Sequence, residues 1–166
     1  SHEVRVVTAK CGRIDPEDIY EYIAEGGYSS LAKALGMQPE EIVRTVQDSG
    51  LRGRGGAGFS TGLKWSLARE AAAPGKTVIC NADEGDPGAY MDRTILESNP
   101  HQVLEGMAVC GRAIGAEKGI LYVRAEYPLA VGLLRKAVRQ AEETGLLGDD
   151  ILGSGGSFRA EIFEGS

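Results

Sequence analysis

The sequence predicts an α/β protein: a mainly parallel sheet in three layers with helices, preceded by a helical N-terminal segment. Three observations carry this. Short apolar runs at 77–80, 119–124 and 158–163 are separated by long amphipathic stretches, a spacing that belongs to parallel sheets linked by helical crossovers. The opening third carries repeated helix-start signals. A glycine-rich run and an acidic run flank the first main strand, where open α/β sheets place their ligand loops.

Each element has its own reason. Residues 4–7 alternate Val and Arg and read as a short first strand. Asp15-Pro16-Glu17-Asp18 supplies an N-cap, a proline at the first helical position and acids in the first turn, so a helix runs to about residue 25 and stops at Gly26-Gly27. Residues 28–35 form a second helix, closed by Gly36. Pro39-Glu40-Glu41 starts a third, with Ile42, Val43 and Val46 apolar, ending near Gly50. A helix over 62–73 then leads to the strand at 77–80. Asn99-Pro100 opens a helix with Val103, Leu104, Met107, Ala108 and Gly111 on one face. The strand at 119–124 is followed by a helix over 128–144, whose stripe is Leu129, Leu133, Leu134, Ala137, Val138 and Ala141, ended by Gly145. After a loop at 153–156, residues 158–163 alternate as a third strand. Trp65, Cys80 and Cys110 read as core residues, and His101 as a surface or capping residue.

Composition narrows the function. The chain has 166 residues, 42% of them hydrophobic, and a net charge of −6, which argues against a nucleic-acid surface. No apolar run reaches the ~18 residues of a membrane span. The three cysteines are dispersed, with no CxxC pair, so neither a disulfide framework nor a metal or iron–sulfur site is expected from this chain, and reduced thiols suit the cytoplasm.

The chemistry concentrates in two segments. Residues 49–65 hold glycine at 50, 53, 55, 56, 58 and 62, with Arg52, Arg54 and Lys64 threaded among them. Such a run offers bare main-chain N–H groups beside cations, a cradle for a nucleotide phosphate. It is not a P-loop, because Lys64 follows Leu63 and precedes Trp65. Phe59, between glycines, is placed to stack on a ligand ring. The second segment is the polar loop after the first strand. Asn81, Asp83, Glu84 and Asp86 can accept hydrogen bonds from ribityl or ribose hydroxyls, and Pro87-Gly88 turns the loop. Solvated loop acids or a hard-cation site would use the same residue types, though the spacing fits no EF-hand. No G-x-S-x-G surrounds Ser154 or Ser157, which leaves a serine hydrolase without support.

Together these segments resemble a known family, the FMN- and NADH-binding flavoprotein component of respiratory complex I, which recurs in NAD(P)-linked hydrogenases and NAD-dependent formate dehydrogenases. The resemblance rests on Gly50-Leu51-Arg52-Gly53-Arg54-Gly55-Gly56-Ala57-Gly58-Phe59, Thr61-Gly62-Leu63-Lys64-Trp65, Cys80-Asn81-Ala82-Asp83-Glu84 and Tyr122-Val123-Arg124-Ala125-Glu126-Tyr127-Pro128. Gly85-Asp86-Pro87-Gly88-Ala89 looks closest to the soluble hydrogenase and formate dehydrogenase members.

The resemblance implies a Rossmann-like fold, with an N-terminal helical segment at 1–50 and an FMN/NAD-binding α/β domain at 51–166 that continues beyond the chain. It implies that Gly53, Arg54, Gly55 and Gly56 line FMN, with Lys64 beside it. Asn81, Asp83 and Glu84 would hold the isoalloxazine edge and ribityl chain. Phe59 would flank the adenine of NAD(P)H, and Asp86 would stand near its nicotinamide. No protein acid or base is implied as a catalytic residue, since the hydride chemistry is the flavin's. Electrons would pass to Fe–S electron-transfer subunits of a hydrogenase, formate dehydrogenase or complex I type assembly. A 4Fe–4S cluster is expected in a full-length subunit but not on this piece. Ser60 stands where members usually carry proline, and Leu67 where some carry a second aromatic. A non-catalytic nucleotide-binding or assembly domain is the alternative.

Overall fold

The structure, a computed structural model, describes residues 4–55 and 57–165. Its elements are α1 (Ile19–Ala24), α2 (Ser29–Leu35), α3 (Pro39–Asp48), α4 (Thr61–Glu70), β1 (Lys76–Ala82), α5 (Met91–Ser98), α6 (Pro100–Ile114), β2 (Ala116–Arg124), α7 (Pro128–Glu143) and β3 (Arg159–Gly165), with a short 3₁₀ turn at Ile151–Gly153. The strands form one parallel sheet in the order β1-β2-β3. This is the parallel α/β architecture that the sequence predicts.

Local signals explain most helix boundaries. The Asp18 side chain accepts from the N–H groups of Tyr20 and Glu21 at the start of α1. Gln38 and Glu41 cap α3 reciprocally, and Pro39 occupies its first turn. Pro100 starts α6, and Gly115, left-handed at φ 82°, ends it.

Two expectations are corrected. Residues 4–7 are irregular and not a strand, with Val4 and Val6 82% and 74% exposed. In the other direction, α5 occupies 91–98, where the sequence reading assigns no helix. Its N-cap residue, Tyr90, makes no side-chain cap. The carboxylate of Glu84 does so instead, accepting from the N–H groups of Met91 and Asp92 at 3.0 Å and of Arg93 at 3.5 Å. A cap supplied from beyond a turn is invisible to rules that look at adjacent positions.

The strand faces differ. Val78, Cys80 and Ala82 of β1 align with Gly119, Leu121 and Val123 of β2, and these with Ala160 and Ile162 of β3. This face packs on Leu104, Met107 and Ala108 of α6 and on Ala130, Val131 and Leu134 of α7. The other face carries Thr77, Ile79 and Asn81, then Ile120 and Tyr122, then Glu161 and Phe163. Ile79 is 64% exposed and Phe163 58%. Tyr122 and Phe163 stack there, centroids 5.5 Å apart. Among the described residues the helices pack on the face of this open sheet that carries Val78, Cys80 and Ala82.

Helices α1 and α2 join the sheet's own core through Ile19, Tyr22, Tyr28 and Leu31. A buried carboxylate fastens them. Glu105 of α6 accepts from Tyr22 Oη at 2.5 Å, from Tyr28 N at 2.9 Å and from Leu31 N at 3.0 Å. Burial, reinforced by that carboxylate, raises the ionisation of both phenols above their ordinary range.

His101, expected at the surface or as a cap, is 2% exposed. Its Nδ1 lies 2.6 Å from Tyr28 Oη and its Nε2 3.1 Å from Gln140 Oε1. Gln140 spends its amide on Glu17 O at 2.7 Å, so its oxygen faces the ring and Nε2 must carry the proton. Nδ1 then accepts from Tyr28. Burial is the larger influence on the ring and lowers its pKa below 6.5, against the hydrogen bond to Gln140. An i, i+3 apolar pattern carries no signal for a polar residue buried with partners from distant segments, which is why the sequence does not reveal it.

Candidate functional site

Helix direction places the two sequence motifs. One residue, Gly115, separates α6 from β2, so α6 runs antiparallel to the strand it packs on. Helix α4 runs alongside α6 in the same direction. Arg69, near its end, donates to Ala113 O at 3.4 Å, while Lys64, earlier on α4, lies close enough to Cys110, earlier on α6, to act on its thiol, and Trp65 lines the same cavity as Val109. The start of α4 therefore points toward the carboxyl end of the sheet. The glycine loop before α4 and the polar loop after β1 open at that same end.

The glycine loop is pinched at its neck. Gly53 N donates to Phe59 O at 2.8 Å, Thr61 N to Leu51 O at 3.0 Å, and Arg52 Nη1 to Gly58 O at 3.1 Å. Arg52 and Ser60 form an antiparallel bridge across the neck. At the tip, the main-chain N–H groups of Arg54, Gly55, Ala57 and Gly58 donate to no acceptor among the described residues. Ser60, where the family pattern has proline, N-caps α4 by accepting from Leu63 N at 3.3 Å. Lys64 is exposed on the first turn of α4, and Phe59 is half exposed beside the tip. Gly62 fixes α4 against α3: an added Cβ would meet Gln47 at 2.3–2.6 Å, main-chain atoms included. Gly56 lies outside the described residues.

The polar loop is held from below. Asn81 Oδ1 accepts from Asp83 N at 3.1 Å, a tight turn at the end of β1. The Asp83 carboxylate stands 3.8 Å from Arg124 Nε. The Glu84 carboxylate is occupied by the start of α5, while its main-chain carbonyl accepts from Arg124 Nη1 at 3.4 Å and Tyr127 Oη at 3.2 Å. Asp86 is exposed at the turn, its carbonyl accepting from Ala89 N. Burial, then Glu84, raises Asp92 above the usual carboxylate range. Beneath the loop, burial, then Asp92, pushes the Cys80 thiol up to about 11, and burial likewise holds Cys110 at about 11. Both are poor thiolates at neutral pH and unsuited to nucleophilic or redox work.

The structure thus groups Gly53, Arg54, Gly55, Phe59 and Lys64 on one loop, and Asn81, Asp83, Glu84 and Asp86 on another at the same sheet end. Arg124 and Tyr127, which the family motif includes but to which the sequence assigns no role, prove to be the supports of the second loop. A charged residue at the last position of a strand marks Arg124 as worth inspecting, without naming its partner, and Tyr127 carries no such mark. Free amides and cations on one loop and a hydroxyl-accepting set of amide and carboxylates on the other make a donor set that fits a phosphate-bearing, polyhydroxylated ligand. Among the described residues no cluster of three or more His, Cys, Asp or Glu could hold a metal ion. Among them, too, no helix is long and apolar enough to cross a membrane.

Comparison with known proteins agrees with this chemistry. The family model of the Nuo51 FMN-binding domain matches residues 46–165. The NADP-reducing hydrogenase subunit HndC of Solidesulfovibrio fructosivorans is 55% identical over 164 residues, covering 99% of this chain and 33% of that protein. An NADH-quinone oxidoreductase subunit of Escherichia coli (strain K12) is 46% identical over 148 residues, covering 88% of this chain and 33% of that protein. Among solved structures, the NAD+-reducing [NiFe]-hydrogenase in the H2-reduced state aligns over 98% of this chain and 25% of its own, with a TM-score of 0.73 and 34% identity. The chain spans about a third of the length of the curated relatives it matches.

Proposed function

The chain belongs to the family of the Nuo51 FMN-binding domain, and from that premise we propose that it is the flavin-holding module of an NAD(P)H-oxidising flavoprotein within a multisubunit oxidoreductase. The observation that carries the proposal is the set of open main-chain N–H groups of Arg54, Gly55, Ala57 and Gly58, ahead of Lys64 on α4 and at the same sheet end as the carboxylates of Asp83, Glu84 and Asp86.

In this reading Gly53, Arg54, Gly55, Gly56 and Lys64 bind FMN by its phosphate and flavin ring. Asn81 and Asp83 orient the ribityl hydroxyls and the ring edge, and Glu84 contributes through the loop it anchors. Phe59 offers an aromatic face to the adenine of NAD(P)H, and Asp86 orients the nicotinamide end. When bound, FMN supplies the conversion of a two-electron hydride into single electrons for Fe–S centres. The chain's residues supply position: holding a donor within about 3–3.5 Å of its acceptor removes several kcal/mol of orientational cost. Lys64 and Arg54 add positive charge, which favours the reduced, anionic ring.

We further assign residues 1–50 to a helical segment and 51–166 to the cofactor-binding unit. The partners are Fe–S electron-transfer subunits, and the site of action is the cytoplasm. The test is reconstitution. The intact protein should take up FMN and then reduce ferricyanide with NADH or NADPH. Uptake of a nucleotide without NAD(P)H-dependent dye reduction would instead favour a non-catalytic binding domain.

A further inference from the structure

The 81–86 loop is exposed, yet its main chain is gripped at one residue from three directions. The Glu84 carboxylate accepts the first N–H groups of α5, and its carbonyl accepts from Arg124 and Tyr127. Arg124, the last residue of β2, is itself held in a fork. Its Nε donates to Glu126 Oε2 at 3.0 Å and its Nη2 to Glu126 Oε1 at 3.4 Å. That pairing fixes the guanidinium plane and leaves Nη1 for the Glu84 carbonyl. The approach is close: a Cβ on Gly85 would stand 3.3 Å from Arg124 Nη1, so glycine lets the loop lie on the guanidinium. Tyr127 is set in turn by Arg93 of α5, whose guanidinium lies 5.3 Å from the ring centroid.

We propose that Arg124 is a positioning residue: clamped by Glu126, it works with Tyr127 to fix the Glu84 carbonyl and thereby sets the loop that presents Asn81, Asp83 and Asp86 to the cofactor. The inference rests on the proposed function for its consequence at the flavin, and on geometry alone for the clamp. Arginine is needed because one planar group serves Glu126 and Glu84 together while keeping positive charge beside Asp83. Lysine keeps the charge but cannot form the fork.

The experiment compares Arg124→Lys, Glu126→Gln and Tyr127→Phe with a control, Lys118→Gln, at the exposed Lys118–Glu161 pair on the far part of the same strand. In the intact protein, Arg124→Lys should raise the FMN dissociation constant about tenfold and Tyr127→Phe about threefold. The visible absorption bands of the bound flavin should shift, while the thermal midpoint moves no further than in Lys118→Gln. Amide hydrogen exchange without added flavin should quicken across 84–93 in Arg124→Lys and stay at the parent rate in α4. Parental exchange across 84–93 overturns the clamp whatever the flavin does. Quickened exchange with unchanged FMN affinity and spectrum overturns the positioning role. A parent protein that takes up no FMN overturns the functional reading, and the exchange comparison still decides whether Arg124 holds the loop.

Discussion

Replacing Glu105 by alanine should be among the most damaging single changes available in this chain. The carboxylate is buried on α6 and accepts three hydrogen bonds, at 2.5, 2.9 and 3.0 Å, from the Tyr22 hydroxyl and from the first main-chain N–H groups around α2. Hydrogen bonds to a charged group contribute about 1.5–3 kcal/mol each. Part of that offsets the several kcal/mol cost of burying the carboxylate itself. Removal leaves two amides and a phenol buried without an acceptor, and the net loss should be about 4 kcal/mol. For a domain of this size that corresponds to a fall of about 8–16 °C in thermal midpoint. Glu105→Gln should lose nearly as much, about 3 kcal/mol, because its new NH2 would face an N–H donor. Urea unfolding followed by the fluorescence of Trp65, the single tryptophan, measures both variants. A loss under about 1 kcal/mol for Glu105→Ala would refute the idea that this carboxylate fastens the N-terminal helices.

Other consequences are equally measurable. His101 is neutral in the fold with its pKa lowered below 6.5, so the unfolded state binds more protons as pH falls, and stability should decline below pH 6.5. Asp92, raised in the fold by burial, acts the opposite way, and Glu40 and Glu126 are lowered, by Glu40's own backbone and by Arg124 respectively, so the fall in unfolding midpoint between pH 7 and pH 5 should be smaller in His101→Gln than in the parent. Gly62→Ala drives a methyl into Gln47 and should cost about 2 kcal/mol, read by denaturation, with α3 and α4 displaced. Lys64→Ala should weaken FMN retention about tenfold or more, since a charged partner to the ligand is lost at an exposed position that the fold does not need.

The parallel sheet and most helices are legible in the sequence because their causes are local. Pro39 and Pro100 begin helices, Gly115 and Gly145 follow them, and alternation in 158–163 marks a strand. What escapes is non-local. Helix α5 is hidden because its cap is Glu84, on the far side of the Pro87-Gly88 turn. Residues 4–7 have strand composition but lie exposed and irregular, where no burial rewards it. His101 is buried because Tyr28 and Gln140, distant in sequence, satisfy both ring nitrogens. The two loops proposed to hold the ligand are legible as chemistry, through glycines with cations and an amide with acids. That they share one end of the sheet follows only from the directions of α4 and α6. The supporting role of Arg124 and Tyr127 needs coordinates, because nothing in their own segment points to the Glu84 carbonyl.

The central claim is that the bare amides of Arg54, Gly55, Ala57 and Gly58, with Lys64, act with Asn81 and Asp83 on one flavin. The most direct measurement is an equilibrium FMN titration of the intact protein by flavin fluorescence quenching, as a double-mutant cycle of Lys64→Ala and Asp83→Asn. Saturable binding that each variant weakens, with the double variant departing from the sum of the two, is the result expected of two loops enclosing one ligand. No saturable binding in the parent, or affinities that neither variant alters, would contradict the account.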